Sequence, residues 1–217
     1  MTTDVEPPPP PPASTPEPFP LYLEIRHPEH QRRLTNIPVL GTLFRYVLVL
    51  PMFPFLAIFG YLSLVSYLAS SCVILATGKY PHGLFKIIVG VMRWQLNVQA
   101  YEVHLFDDYP PADLDPRRDW WVEFGVAYPD HPSRFLNSPV LGLLIKEILA
   151  IPHILVLYFL GVLTLVMVLI ANVAILFSGK FPLGMHRFVV GVLRWQYRVS
   201  AYIFGLTDRY PPFSLAS

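Results

Sequence analysis

Residues 46–77 read YVLVLPMFPFLAIFGYLSLVSYLASSCVILAT, a run without a formal charge. At about 1.5 Å per helical residue, some 20 residues cross the hydrocarbon core of a bilayer, so the run is long enough to span one. Ile148 to Ser178 forms a second such run. Gly78-Lys79 and Gly179-Lys180 end the two runs with a glycine and a charge. Pro51 and Pro152 fall near their starts, where they either bend the segment or mark an interfacial helix turning into the bilayer.

The two runs belong to one duplication. Offset by 101 positions, Pro28 to Pro111 aligns without gaps on Pro129 to Pro212, with 37 identities in 84 pairs. Shared hydrophobicity does not explain this, because many matches are polar or restrict the backbone. They include Asn36-x-Pro38 with Asn137-x-Pro139, and Arg93-Trp94-Gln95 with Arg194-Trp195-Gln196. Both copies close on Asp-x-Tyr-Pro-Pro, at Asp107 and at Asp208. The period exceeds those of solenoids, so a whole folding unit is duplicated. The chain divides into a disordered Pro-rich tail over 1–18, repeat 1 over 19–111, a linker over 112–118 and repeat 2 over 119–217.

Each repeat reads in the same order. An alternating stretch, Leu21 to Ile25 or Trp121 to Val126, predicts a short half-exposed strand. Asn36 or Asn137 then suits a helix N-cap, with Pro38 or Pro139 in the first turn. That interfacial helix leads into the apolar run, where Gly60 or Gly161 could bend a hairpin. A second helix starts near Gly83 or Gly184. At 100° per residue, Lys86, Arg93, Asn97 and His104 share one face of it, as do Arg187, Arg194 and Arg198 in repeat 2. Gly90 and Gly191 lie beside that stripe, where they would let helices approach. The fold class is therefore mainly α and integral to a membrane. It has two tandem repeats, each a short strand, an interfacial helix and two membrane-embedded helical segments.

Composition agrees. Apolar residues make up 53% and charged residues 14%, with a mean hydropathy of +0.46, too apolar for an ordinary soluble domain. A net charge of +1 without a basic run excludes a nucleic-acid partner. The seven histidines lack metal-ligand spacing, and His30 and His131 read as surface-loop residues. Cys72 stands alone inside the first apolar run, as a packing residue. Asp107 to Asp119 alternates with proline as a solvated connector, and Asp107 and Asp208 read as turn formers. Trp120 and Trp121 suit an interfacial belt, and Ser63, Ser66, Ser70, Ser71, Thr164 and Asn172 suit hydrogen bonds between helices.

Two passes per repeat keep the copies parallel, with strands and termini on one side. Nine basic residues fall there, against Lys79 and Lys180 in the opposite loops, so the positive-inside rule puts the termini in the cytoplasm. Arg93 and Arg194 then lie about 15 Å into the second helix. They must face the bundle, or else the helix lies in the interface with Trp94 and Trp195 at headgroup depth. Gln95, Gln99 and Glu102 on the far face favour the interface.

Gly-Lys-[Tyr/Phe]-Pro-x-Gly, Gly-Val-x-Arg-Trp-Gln, Ala-Tyr and the closing Asp-x-Tyr-Pro-Pro together resemble the bacterial membrane-protein family catalogued as domain of unknown function 4389. Repeat 2 matches through Phe213, whereas repeat 1 has Ala112 there. The resemblance covers both repeats. It implies a bacterial cell-membrane protein and supplies no activity.

No catalytic, cofactor or metal pattern stands out, so a non-enzymatic scaffold or accessory subunit is the leading expectation. Its partners would be membrane lipids and another integral membrane protein or further copies of the chain. The alternative binds or moves a lipid or small anion. The candidate contacts in either case are Lys86, Arg93, Trp94, Arg187, Arg194, Trp195 and Arg198, where arginine offers two parallel donors to phosphate or carboxylate. A purely structural use of the stripe pairs it with Glu24, Glu123 or Glu147.

Overall fold

A computed structural model describes residues 18–111, 113–114 and 120–216. The tail expected over 1–18, Pro18 apart, and most of the linker lie outside the described residues. The elements run β1 (Leu21–Ile25), α1 (Leu40–Val49), α2 (Phe53–Thr77), α3 (His82–Glu102), β2 (Val122–Val126), α4 (Leu141–Ser178) and α5 (Leu183–Ile203). The second helices begin at His82 and Leu183, beside the predicted glycines. Both predicted strands form, and they pair antiparallel with each other, Leu23 opposite Phe124.

The entry to each long helix differs from the predicted cap. Val39 and Val140, at φ 63° and 60°, sit in tight γ-turns. Their closing bonds are Leu40 N to Pro38 O at 2.8 Å and Leu141 N to Pro139 O at 2.6 Å. This form of γ-turn is rare and strained for a side-chain-bearing residue. Asn36 and Asn137 are buried upstream and cap nothing. One residue past each turn, Gly41 and Gly142 let the helix pass the preceding loop. A Cβ on Gly142 would stand 2.5 Å from Leu136 O, and one on Gly41 2.5 Å from Thr35 O. Gly142→Ala is therefore expected to destabilise the protein by about 1–3 kcal/mol, read as a lower unfolding midpoint in detergent. An unchanged midpoint would show that the loop yields freely.

The predicted first helix is a separate element only in repeat 1, as α1. In repeat 1 a 3-10 turn at Leu50–Met52, carrying Pro51, joins α1 to α2. In repeat 2, α4 continues through Pro152 as one helix of 38 residues. Gly60 and Gly161 bend no hairpin, since both lie within helix with open space where a side chain would stand. Among the described residues, Leu40–Thr77 and Leu141–Ser178 are the two segments long and apolar enough to cross a membrane. Each buries one stripe, which on α4 runs Gly142, Lys146, Ala150, His153, Thr164 and Val168. The remaining circumference exposes apolar side chains such as Phe44, Phe55, Ile58, Ile154, Phe159 and Phe177.

The copies pack head to tail. Gln31 N donates to Gly179 O at 2.9 Å, joining the entry of repeat 1 to the end of α4. Reciprocally, the Arg134 guanidinium at the entry of repeat 2 lies against Gly78 at the end of α2. Parallel repeats would keep these partners apart, so the expected topology is corrected: the copies are antiparallel. Three layers result. The ribbon packs on α3 and α5, and those pack on α1–α2 and α4. The core lies between them, around Trp94, Leu96, Ile88, Ile175 and Phe106.

The strands are exchanged. β1 packs on α5 of the other copy, and β2 on α3 of the other copy. The sequence repeat is thus not the packing unit.

Candidate functional site

The basic stripe holds the exchanged strands. Arg93 Nε and Nη2 both donate to Phe124 O at 3.2 Å, and Nη1 to Leu114 O at 3.0 Å. Arg194 repeats the arrangement, with Nε and Nη2 on Leu23 O at 3.2 and 3.1 Å and Nη1 on Leu215 O at 3.2 Å. All four acceptors obey the 101-residue offset. Burial lowers the pKa of Arg194, while nearby Glu24 opposes the shift. Arg198 donates to Ala216 O at 2.7 Å and to Ser214 O. The partners found for Arg194 and Arg198 are thus backbone carbonyls, where the sequence suggested carboxylates. Gly90 and Gly191 serve the same contact. A Cβ on either would stand 3.0 Å from the Leu114 or Leu215 carbonyl, so they admit a chain segment and not a helix.

The other predicted contacts separate. Lys86 and Arg187 are exposed, whereas Trp94 and Trp195 are buried in the core. Trp195 Nε1 donates to His153 Nδ1 at 3.0 Å, and Trp94 packs edge-on to Phe59. Trp120 and Trp121 are half-buried. They donate to Asn97 Oδ1 and Asp108 Oδ2 and pack against Phe106. Gln99 and Glu102 face a hollow at the α3–α5 crossing, where Gln99 donates to Gln196 at 3.1 Å. Burial raises the pKa of Glu102 there. Ser71 donates back to Tyr67 O within its own helix, while Asn172 reaches across to Thr42 at 3.4 Å.

Sequence reading missed two buried ionic clusters. In repeat 1, Arg45 is almost fully buried and donates to Asp107 Oδ1 at 2.5 Å, Asn36 Oδ1 at 3.0 Å, and the carbonyls of Tyr101 and Phe106. Asp107 also accepts from Arg32 N and Asn36 Nδ2. In repeat 2, Lys146 Nζ donates to Asn137 Oδ1 at 2.9 Å and Asp208 Oδ1 at 3.1 Å, and Asp208 accepts from Ser133 N. Each cation lies over a tyrosine ring, Tyr101 or Tyr202. Asp107 and Asp208 are therefore counter-ions to buried cations, and their turn-forming role is corrected. The signal was present: two apolar helices each carry one cation with no nearby opposite charge on its buried face.

The clusters differ at one point. His104 of repeat 1 corresponds to Gly205 of repeat 2, and both have positive φ, 62° and 70°. A side chain on Gly205 would strike Asn137 Oδ1 and Tyr67, whose ring comes from the other copy. In repeat 1, His104 Nδ1 contacts Asn36 Oδ1 at 2.7 Å and Nε2 contacts Thr42 Oγ1 at 3.1 Å. Asn36 Oδ1 can only accept, so the neutral imidazole carries its proton on Nδ1. Burial, reinforced by the Arg45 charge, pushes the His104 pKa down to about 3, and burial pushes His186 down to about 4.

These histidines set an acid limit. Below the ordinary 6.5 the unfolded chain takes up protons that the folded one refuses. Their stabilisation is complete above that pH and declines as pH falls toward about 4 and about 3. Each contributes a slope of up to about 1.4 kcal/mol per pH unit. Denaturant titrations between pH 7 and 4.5 are expected to show this decline. His104→Gly, which fits the local φ, should make it shallower by one proton's worth, and an unaltered slope would remove His104 from the account.

A groove of about 420 Å³ runs along Phe19, Leu21 and Leu23, with Arg194 and Arg198 on its wall. His30 and His131 are both exposed. The family model described as Domain of unknown function (DUF4389) matches the chain twice, over residues 40–112 and 141–214. Both matches begin after the strands. No curated protein and no solved structure matches.

Proposed function

This chain belongs to the DUF4389 family in two tandem copies, and we propose from that premise a non-enzymatic membrane protein, a scaffold or accessory subunit in a bacterial cell membrane. One observation carries the reading. Two 38-residue apolar helical segments each expose apolar side chains around most of their circumference. Water does not tolerate a contiguous surface of that size, so lipid or a protein partner covers it. Most charged groups turned inward hold the fold together: Arg45 and Lys146 in clusters, Arg194 and Arg198 on carbonyls.

The lipid- or anion-binding alternative retains one supporting feature, the groove beside Arg194 and Arg198. Purification of the full chain in mild detergent separates the two. A stoichiometric protein partner is expected. Bound phospholipid lost in Arg198→Gln would favour the alternative, and a partner-free, lipid-free monomer would remove both.

A further inference from the structure

We infer that the two long helices lie along one leaflet of a membrane and do not cross it, with the β-ribbon in water on the same side as every described loop. The inference rests on the membrane part of the function proposed above. It begins with where the strands run. β1 leads from Pro18, whose carbonyl accepts from Arg209 beside the Asp208 cluster, to His27, whose Nε2 lies 2.8 Å from Phe181 O just past the end of α4. β2 leads from Trp121, bonded to Asp108, to Tyr128, bonded to the Tyr80 carbonyl just past the end of α2. Each strand therefore connects one end of the helical layers to the other.

If the long helices crossed a bilayer, the ribbon would lie at bilayer depth beside them. Among the described residues it has two strands, so each keeps one edge without a neighbouring strand. It also exposes Tyr22, Glu24 and the Arg26–Glu123 ion pair. Open strand edges and exposed charges do not occur against hydrocarbon. Length gives a second argument. Exposed apolar side chains extend from Leu43 to Leu75 and from Leu144 to Phe177. That is about 50 Å of helix against a core about 30 Å thick.

In-plane burial removes both difficulties. The ribbon lies on the far side of α3 and α5, and the long helices form the opposite layer. Charge fits a lipid surface as well. Lys79 with Arg134 marks one end of the pair, and Lys180 with Arg33 the other, all exposed. Beside them Phe135 and Leu34 are 62% and 83% exposed, placed to enter the same leaflet. Cations flanking an apolar face are the composition that anionic headgroups attract.

The test uses the full chain with Cys72→Ser and single cysteines from Lys79→Cys, Lys180→Cys, Glu24→Cys or Glu123→Cys. Sealed membrane vesicles of each orientation are washed with carbonate and treated with an impermeant maleimide, before and after permeabilisation. All four positions are expected to label fully from one side and not from the other. Lys79 and Lys180 labelling opposite to Glu24 and Glu123 would restore parallel two-pass repeats. Lys79 opposite to Lys180 would show single-pass, inverted copies, and either pattern overturns the inference. Release by carbonate as a detergent-free oligomer would instead overturn the membrane reading itself, assigning the apolar faces to further copies of the chain.

Discussion

Asp107→Ala is expected to destabilise the protein by about 3–5 kcal/mol, the usual effect of stripping one partner from a buried ion pair. Arg45 is 1% exposed and cannot turn to water. Its remaining partners, Asn36 Oδ1 and the Tyr101 and Phe106 carbonyls, accept hydrogen bonds but bring no opposite charge. The loss of Asp107 also removes the acceptor of Arg32 N and one of the acceptors of Asn36 Nδ2. Arg45→Met alone leaves a carboxylate with two donors and partial exposure, so it should cost less. The double variant Arg45→Met with Asp107→Asn should recover part of the loss, because no uncompensated charge remains. Denaturant unfolding of the four proteins in one detergent gives the coupling. Strictly additive single effects would show that the pair does not act as a unit.

Replacing Arg93 and Arg194 together with glutamine is expected to release the ribbon. Each guanidinium holds a strand carbonyl and a carbonyl of the segment that follows its own helix. Glutamine is shorter and cannot bridge both. Hydrogen bonds to a charged donor contribute about 1.5–3 kcal/mol each, so the pair of changes removes a large part of what fastens β1 and β2. Amide exchange at Leu21–Ile25 and Val122–Val126 should accelerate by orders of magnitude, while the α2–α3 and α4–α5 amides change less. Equal acceleration everywhere would mean that the arginines support the whole fold and not the ribbon in particular.

Much of this architecture was legible in the chain. The alternation at Leu21–Ile25 marked the strand, and Gly78-Lys79 and Gly179-Lys180 marked the helix ends, because those signals are local. The relation between the copies was not, since a duplicated sequence is the same whether its copies pack side by side or head to tail. Asn36 and Asp107 were misread for a related reason. Capping and turn rules look only a few residues along the chain, whereas Arg45 and Asp107 stand 62 residues apart. The stripe follows from helical periodicity, but its acceptors do not. Backbone carbonyls carry no sequence signature, so Leu23 and Phe124 gave no sign that they would receive Arg194 and Arg93.

The exchange of strands makes each half of the chain an incomplete body. A polypeptide bearing one copy would have to place its strand on the arginine helix of another molecule. It would then be an obligate two-fold dimer whose assembly depends on its concentration. Joining the copies makes that encounter intramolecular, with the connecting segment setting a fixed and high effective concentration. Severing the chain between the copies should therefore leave two fragments that still hold each other. Diluting the severed pair should unfold it, while the intact chain withstands dilution.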